Sequence, residues 1–220
     1  MADLVRGLTA ERVRSNLGAV NARIEAAADR AGRDRGDVEL VAAVKYVPAH
    51  ELGALAEAGV RVAGENRAQE LQVKVAAHGD AFLWDFIGHV QSRKVRDIAP
   101  LVRLIHSVST DSVLRQLRRH APPQLRVLVE VNVAGEERKD GVAPAELTAF
   151  IARCPVPVAG LMTMPPLARK AEDSRRWFAT LRELADVNGL RELSMGTTQD
   201  FEVAVEEGAT IVRIGTSLFA

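Results

Sequence analysis

Eight short, β-rich apolar runs, each separated from the next by a stretch of helical periodicity, restrict the fold of this chain more than any other feature. They are VELVAAVKYV from Val38, VRVAGEN from Val60, FLWDFIGHV from Phe82, LIHSVST from Leu104, LRVLVEVNVA from Leu125, VPVAGLMTMP from Val156, LRELSMGTT from Leu190 and TIVRIGTSLF from Thr210. Near-continuous apolar strands alternating with helices imply a parallel sheet whose outer face the helices cover. Eight such units suit an α/β fold of the closed (β/α)8, or TIM-barrel, kind. An open doubly wound sheet is the alternative, but VKYVPAHE after the first run carries no Gly-rich phosphate fingerprint, which weakens a dinucleotide-binding unit. Ahead of the runs, Val13, Leu17, Val20, Ile24, Ala27 and Ala28 recur at helical spacing behind Thr9, a good N-cap, and the helix is expected to end near Gly32. Almost nothing follows the eighth run. The N-terminal helix is therefore expected to complete the outer ring between strands eight and one, within a single barrel domain over residues 1–220.

Composition narrows the function classes. The 29 basic and 29 acidic side chains cancel, so no global field draws the chain to nucleic acid or to an anionic membrane. The basic cluster Arg115, Arg118, Arg119 and His120 reads as a solvated helix face, since aromatics make up only 4% of the chain. One cysteine, Cys154, excludes an internal disulfide and fits a reducing compartment, so a cytoplasmic location is expected. No leader or membrane-spanning run is visible, and no apolar interface stripe stands out, which makes a monomer the expectation.

In a barrel of this kind functional groups gather at the carboxyl ends of the strands. The polar residues that close the apolar runs are Lys45, Gly64 to Asn66, His89 and Gln91, Ser107 and Ser109, Asn132, Met162 and Thr163, Ser194 to Thr198, and Arg213 to Ser217. Lys45 would be costly to desolvate there, so it snorkels, pairs with a carboxylate, or serves as a nucleophilic amine. On the run alone the first two weigh more. Strand alternation places Lys45 and Tyr46 on opposite faces, so that they would not line one pocket.

The eighth run ends in Arg213-Ile214-Gly215-Thr216-Ser217, where a glycine followed by hydroxyls lets backbone amides approach an anion at the usual phosphate position of such barrels. Ser194, Gly196, Thr197 and Thr198 after the seventh run make a second loop of the same kind. Each loop alone reads equally well as an ordinary turn or cap. Two of them beside a strand-one lysine form the set that pyridoxal 5'-phosphate requires: an amine for its aldehyde, a cradle for its phosphate, and a third group for the ring nitrogen. Arg213 suits that third role, and an ion pair with Glu130 or Glu65 is the alternative.

These residues lie in segments that resemble the pyridoxal phosphate homeostasis protein family, which is similar in fold to the N-terminal barrel of bacterial alanine racemase. The matching segments are LVAAVKYVP, GENRAQE, WDFIGHVQSRK, IHSVST, NVAGEERKDGV, GLMTMPP, SMGTTQD and VRIGTSLF, in order along nearly the whole chain. The resemblance implies a fold-type III pyridoxal phosphate barrel that holds the cofactor as a Schiff base on Lys45. Ser194, Gly215 and Thr216 would lie near the phosphate, Arg213 near the ring nitrogen, and Asn66 and Met162 beside the pocket, while the loop reading above adds Gly196 and Thr198 to the phosphate site. It further implies a role in vitamin B6 homeostasis without established catalysis, with pyridoxal phosphate-dependent apoenzymes as partners. The chain departs from the family pattern at Asp85, where WHFIG is usual, at Arg93, and at Thr197 and Thr198, where SMGMS is usual.

An amino-acid racemase of fold type III is the rival, and needs a base on each face of its substrate. Tyr46 is the single tyrosine, and His89 or Cys154 would have to stand in for it. A Schiff-base aldolase, which uses a barrel lysine without a cofactor, is a third class. Lys139, in the charged loop GEERKDG, is a candidate for contact with the cofactor or with a lid.

Overall fold

The computed structural model describes residues 4–220. Eight parallel strands close into a barrel in chain order. They are β1 (Glu39–Ala43), β2 (Val62–Glu65), β3 (Leu83–Phe86), β4 (Leu104–Val108), β5 (Arg126–Glu130), β6 (Val158–Met162), β7 (Glu192–Thr197) and β8 (Ile211–Ile214). The ring is sealed where Glu39 to Ala42 of β1 register against Ile211 to Ile214 of β8. Outside it run α1 (Ala10–Arg30), α2 (Leu52–Glu57), α3 (Ala68–His78), α4 (Val95–Ile98) and α5 (Asp111–His120). They are followed by α6 (Leu147–Ala152), α7 (Arg175–Val187), α8 (Phe201–Glu206) and the single-turn α9 (Thr216–Phe219).

The expected role of the N-terminal helix is realised. Thr9 Oγ1 caps α1 by accepting from Arg12 N at 3.3 Å, and the helix packs against α8, α9 and α2, filling the gap between the last and first units. Its buried face is Val13, Val20, Ile24, Ala27 and Ala28, while Arg23 and Arg30 on the outer face pair with Glu202 and Glu206 of α8 at 2.6 and 2.7 Å. Exposed pairs of this kind contribute little, so the helix is held mainly by apolar burial. Ile24→Val, which removes one methylene from a fully buried side chain, is expected to lower the unfolding free energy by about 0.5–1.5 kcal/mol, read from urea denaturation.

Most of the core lies between strands and helices. A separate small cluster, Val41, Val62, Leu104, Leu128, Met162 and Ile211, fills the barrel interior. At the amino ends of the strands the interior is polar: Arg103 binds Glu39 and Asp85, and Arg126 binds Glu192. No helix among the described residues is long and apolar enough to cross a membrane.

Candidate functional site

The first run leaves the sheet earlier than its sequence suggests. β1 stops at Ala43, and Val44 to Val47 form a turn closed by Val47 N donating to Val44 O at 3.0 Å. The turn is clamped from beneath. Lys74 of α3, 1% exposed, donates from Nζ to Val44 O at 2.8 Å and pairs with the fully buried carboxylate of Glu65. Glu65 Oε1 in turn accepts from the amides of Asn66 and Arg67 at 2.6 and 3.1 Å. Alternation holds only inside a strand, so the expectation that Lys45 and Tyr46 face apart fails. Lys45 Nζ sits 4.9 Å from the centroid of the Tyr46 ring. Both residues line one cavity of about 370 Å³, together with Ala43, Gly215 and Thr216.

The glycine and hydroxyl loop after β8 lines that cavity, and the loop after β7 lines the neighbouring one. Thr216 opens α9, so the amides of Thr216 and Ser217 belong to a first helical turn and have no intrahelical acceptor. Gly215 N donates to Thr198 Oγ1 at 3.4 Å, which joins the loop after β8 to the loop after β7. Gly196 has φ +88°, and a Cβ there would lie 2.5 Å from Ala204 Cβ and 2.9 Å from Phe201 Cα, so this position is closed to side chains by the approach of α8. Thr197, a departure from the family pattern, is tied down: its amide and hydroxyl both donate to Asp200 Oδ1, at 2.8 and 3.2 Å. Gly196, Thr197 and Asp200 line a second cavity of about 350 Å³ beside Arg213.

Arg213 is buried, and the ion pair with Glu130 or Glu65 is not formed. Glu65 is taken by Lys74, and among the described residues no carboxylate lies within ion-pairing distance of Arg213. Instead its guanidinium donates to Ser194 Oγ, to Thr163 O at 3.1 Å and to Met164 Sδ at 2.9 Å. Burial pulls its pKa down to about 10, against the opposing charges of Glu130 and Asp200. The same desolvation pushes the Glu130 carboxyl up, helped by Asp140, while Arg213 acts to lower it.

Ser194, which the resemblance places near a phosphate, is fully buried with its hydroxyl committed to Arg213 and to His106 Nδ1, the latter at 2.8 Å. Met162 lies in the interior cluster beneath the cavities. Asn66 has its Oδ1 buried without a hydrogen-bond partner among the described residues. Its backbone is pinned by Gly88, where a Cβ would stand 2.3 Å from Asn66 O. The remaining candidates stand apart: His89 Nδ1 pairs with Asp140 at 2.8 Å, and Lys139 pairs with Glu136. Asn132 braces the same loop through Glu136 O and N. Cys154 precedes β6 at the far end of the barrel, and burial raises its thiol pKa.

Three residues of the site escape a reading of strand ends: Lys74, Asp85 and His106. Lys74 sits inside a helix, away from any strand end. Asp85 and His106 lie within β3 and β4 rather than at their ends; their signals were a titratable side chain inside each apolar run and, for Asp85, the departure from WHFIG.

A closed barrel with a lysine past its first strand, and glycine and hydroxyl loops past its last two, defines a fold of the alanine racemase type. Alanine racemase from Corynebacterium glutamicum superposes with a TM-score of 0.72 at 15% identity, over 99% of this chain and 63% of that one. More narrowly, the chain belongs to the pyridoxal phosphate homeostasis protein family. It is 44% identical over 217 residues to the member from Aquifex aeolicus, covering 92% of this chain and 95% of that protein. With the member from Pseudomonas aeruginosa it shares 43% identity over 218 residues, 94% of each. The solved structure of PipY from Synechococcus elongatus with pyridoxal phosphate bound matches at a TM-score of 0.80 and 30% identity, covering 94% of this chain and all of that one. No protein-family model matches the chain.

Proposed function

We propose that the chain binds pyridoxal 5'-phosphate at the carboxyl end of its barrel and serves pyridoxal phosphate homeostasis as a holder of the cofactor rather than as an enzyme. The observation that carries this reading is the convergence of Lys45, Gly215 and Thr216 on one cavity, with Arg213 two residues upstream of Gly215. When bound, the cofactor supplies an aldehyde that an amine can capture and a phosphate that backbone amides can cradle.

Lys45 is the amine, presented on a turn that the Lys74–Glu65 pair holds in place. The amides of Thr216 and Ser217, opened to close approach by Gly215, and the hydroxyls of Thr198 and Thr216 receive the phosphate. Gly196 keeps the β7 loop close to α8, and the side-chain oxygen of Asn66 is buried without a partner among the described residues. Met162 forms part of the floor, and Ser194 acts through Arg213. Arg213 has donors and no acceptor, so a pyridine nitrogen opposite it stays unprotonated and is a weaker electron sink than one opposite a carboxylate.

The same geometry supports holding over turnover. A racemase needs bases on two opposed faces, whereas Tyr46 lies against Lys45 on one side. His89 is tied to Asp140, and Cys154 is at the wrong end with a thiol pKa raised by burial. The family name and the pyridoxal phosphate-bound PipY structure support the cofactor. The holder is proposed to act as a cytoplasmic monomer that releases its cofactor to pyridoxal phosphate-dependent apoenzymes.

Adding pyridoxal phosphate to the purified protein is expected to produce a visible absorption band. Borohydride should then fix one pyridoxyl group on Lys45, located by peptide mass, and Lys45→Met should abolish both signals. A wild-type protein that stays colourless, or one labelled elsewhere, overturns the reading. Turnover of single-enantiomer amino acids by the holoprotein, followed by optical rotation, would overturn the holder in favour of the racemase.

A further inference from the structure

A line of hydrogen bonds crosses the barrel interior from its amino end to Arg213. Glu39 Oε1 accepts from Arg103 Nη1 at 3.1 Å, and Arg103 Nε and Nη2 grip Asp85 Oδ1 and Oδ2 at 2.8 and 3.1 Å. Asp85 Oδ2 also meets His106 Nε2 at 3.1 Å, His106 Nδ1 meets Ser194 Oγ at 2.8 Å, and Ser194 Oγ meets Arg213. Asp85, His106 and Ser194 are each 0% exposed, so no solvent competes for these bonds.

The donor count leaves one consistent direction for the line. Burial acts to raise the Asp85 carboxyl, but hydrogen bonds from His106 and Arg103 outweigh it and hold the group below the ordinary aspartate range, so it is an acceptor only. His106 Nε2 must then carry the proton. Arg213 has no acceptor, so Ser194 receives from it and has its single hydroxyl proton left for His106 Nδ1. Every group is satisfied when the bonds run Arg213 to Ser194 to His106 to Asp85. The formal charges of Glu39, Arg103, Asp85 and Arg213 alternate along the line and cancel.

We propose that Asp85 is a positioning residue for the pyridine-nitrogen subsite: through His106 and Ser194 it adds a remote counter-charge for Arg213 and fixes the guanidinium in orientation, with no carboxylate among the described residues in direct contact. A carboxylate in direct contact would take up the donors that the ligand needs. The proposal rests on the function proposed above only for the ligand that Arg213 addresses; the hydrogen-bond order is a property of the protein alone.

Asp85→Asn tests the order directly. Arg103 offers donors to position 85, so the asparagine turns its oxygen to Arg103 and its NH2 to His106, which must then accept at Nε2 and carry its proton on Nδ1. Long-range proton–nitrogen spectra of the protein without cofactor are expected to show His106 as the neutral Nε2–H tautomer in the wild type and as Nδ1–H in the variant. In the loaded protein, Asp85→Asn is expected to speed pyridoxal phosphate release about tenfold, the effect of losing one charged hydrogen-bond arrangement. Ser194→Ala breaks the line one step later: it should keep the Nε2–H tautomer yet release the cofactor about tenfold faster, and the double variant should be no worse than either single one. An Nδ1–H tautomer in the wild type overturns the proposal. So do an unchanged release rate in Asp85→Asn and additive effects in the double variant. Should Asp85→Asn fail to fold, the wild-type tautomer and Ser194→Ala still decide it. Should the wild type bind no pyridoxal phosphate, the proposed function fails while the tautomer result stands.

Discussion

Lys74→Met is expected to lower the unfolding free energy by about 3–5 kcal/mol, a large fraction of the stability of a domain of this size. Methionine nearly matches the lysine in volume, so a cavity is not the cause. The cost arises because Glu65, 0% exposed, would keep only the amides of Asn66 and Arg67 as partners for a buried carboxylate. Val44 O would lose the Lys74 donor but keep the Val47 amide, so the carboxylate accounts for most of the cost. The compensating variant Lys74→Met with Glu65→Leu should recover most of the loss, since two apolar side chains commonly replace a buried pair without penalty. Urea denaturation checks both, and a single variant that loses less than about 1 kcal/mol would show that this pair is not buried as an ion pair. The turn that carries Lys45 hangs on Val44, so the single variant, refolded at low temperature, should also retain pyridoxal phosphate less well.

Arg213→Met should move stability and binding in opposite directions. A guanidinium pulled down to about 10 by burial is a group the folded protein holds at a cost, and no carboxylate among the described residues touches it. Removing it is expected to stabilise the cofactor-free protein by about 1–2 kcal/mol, after allowing for the lost donor to Thr163 O. Pyridoxal phosphate affinity is expected to fall about tenfold to a hundredfold. The pH dependence carries a sign. From about 10 up to the ordinary arginine range the unfolded chain binds the proton more tightly than the folded one, so wild-type stability should rise relative to the variant as pH climbs through that window. Below it the difference should be flat. Equilibrium unfolding of the two proteins across alkaline pH reads this, and a variant less stable than the wild type at neutral pH would contradict it. The trade is the one expected where a binding group is kept at the expense of the fold.

The barrel was legible because its causes are local. A run such as LRVLVEVNVA, short and rich in valine, favours a strand, and its apolar character on both faces calls for a covered parallel sheet. The amphipathic stripe of α1, with Thr9 before it, needs no tertiary information to be read as a helix seeking a partner. Lys45, Gly215 and Thr216 were accessible for the same reason: each ends an apolar run, and in a closed barrel all such ends meet on one face.

The direction of a side chain past the end of a strand was not accessible. Tyr46 shows this, because its side depends on β1 stopping at Ala43 and on a buried lysine from α3 holding the turn. Nor were the partners inside the barrel. His106 and Ser194 are 88 residues apart, and Asp85 and Arg103 belong to neighbouring strand units, so nothing in their spacing announces a shared line of bonds. Burial decides which polar groups must find each other, and burial exists only once the ring has closed. The sequence by itself determined eight strands, their helices and the rim where chemistry gathers, since those follow from local periodicity. Only the tertiary structure decided which buried charges face one another across the interior, because that depends on contacts between segments far apart in the chain.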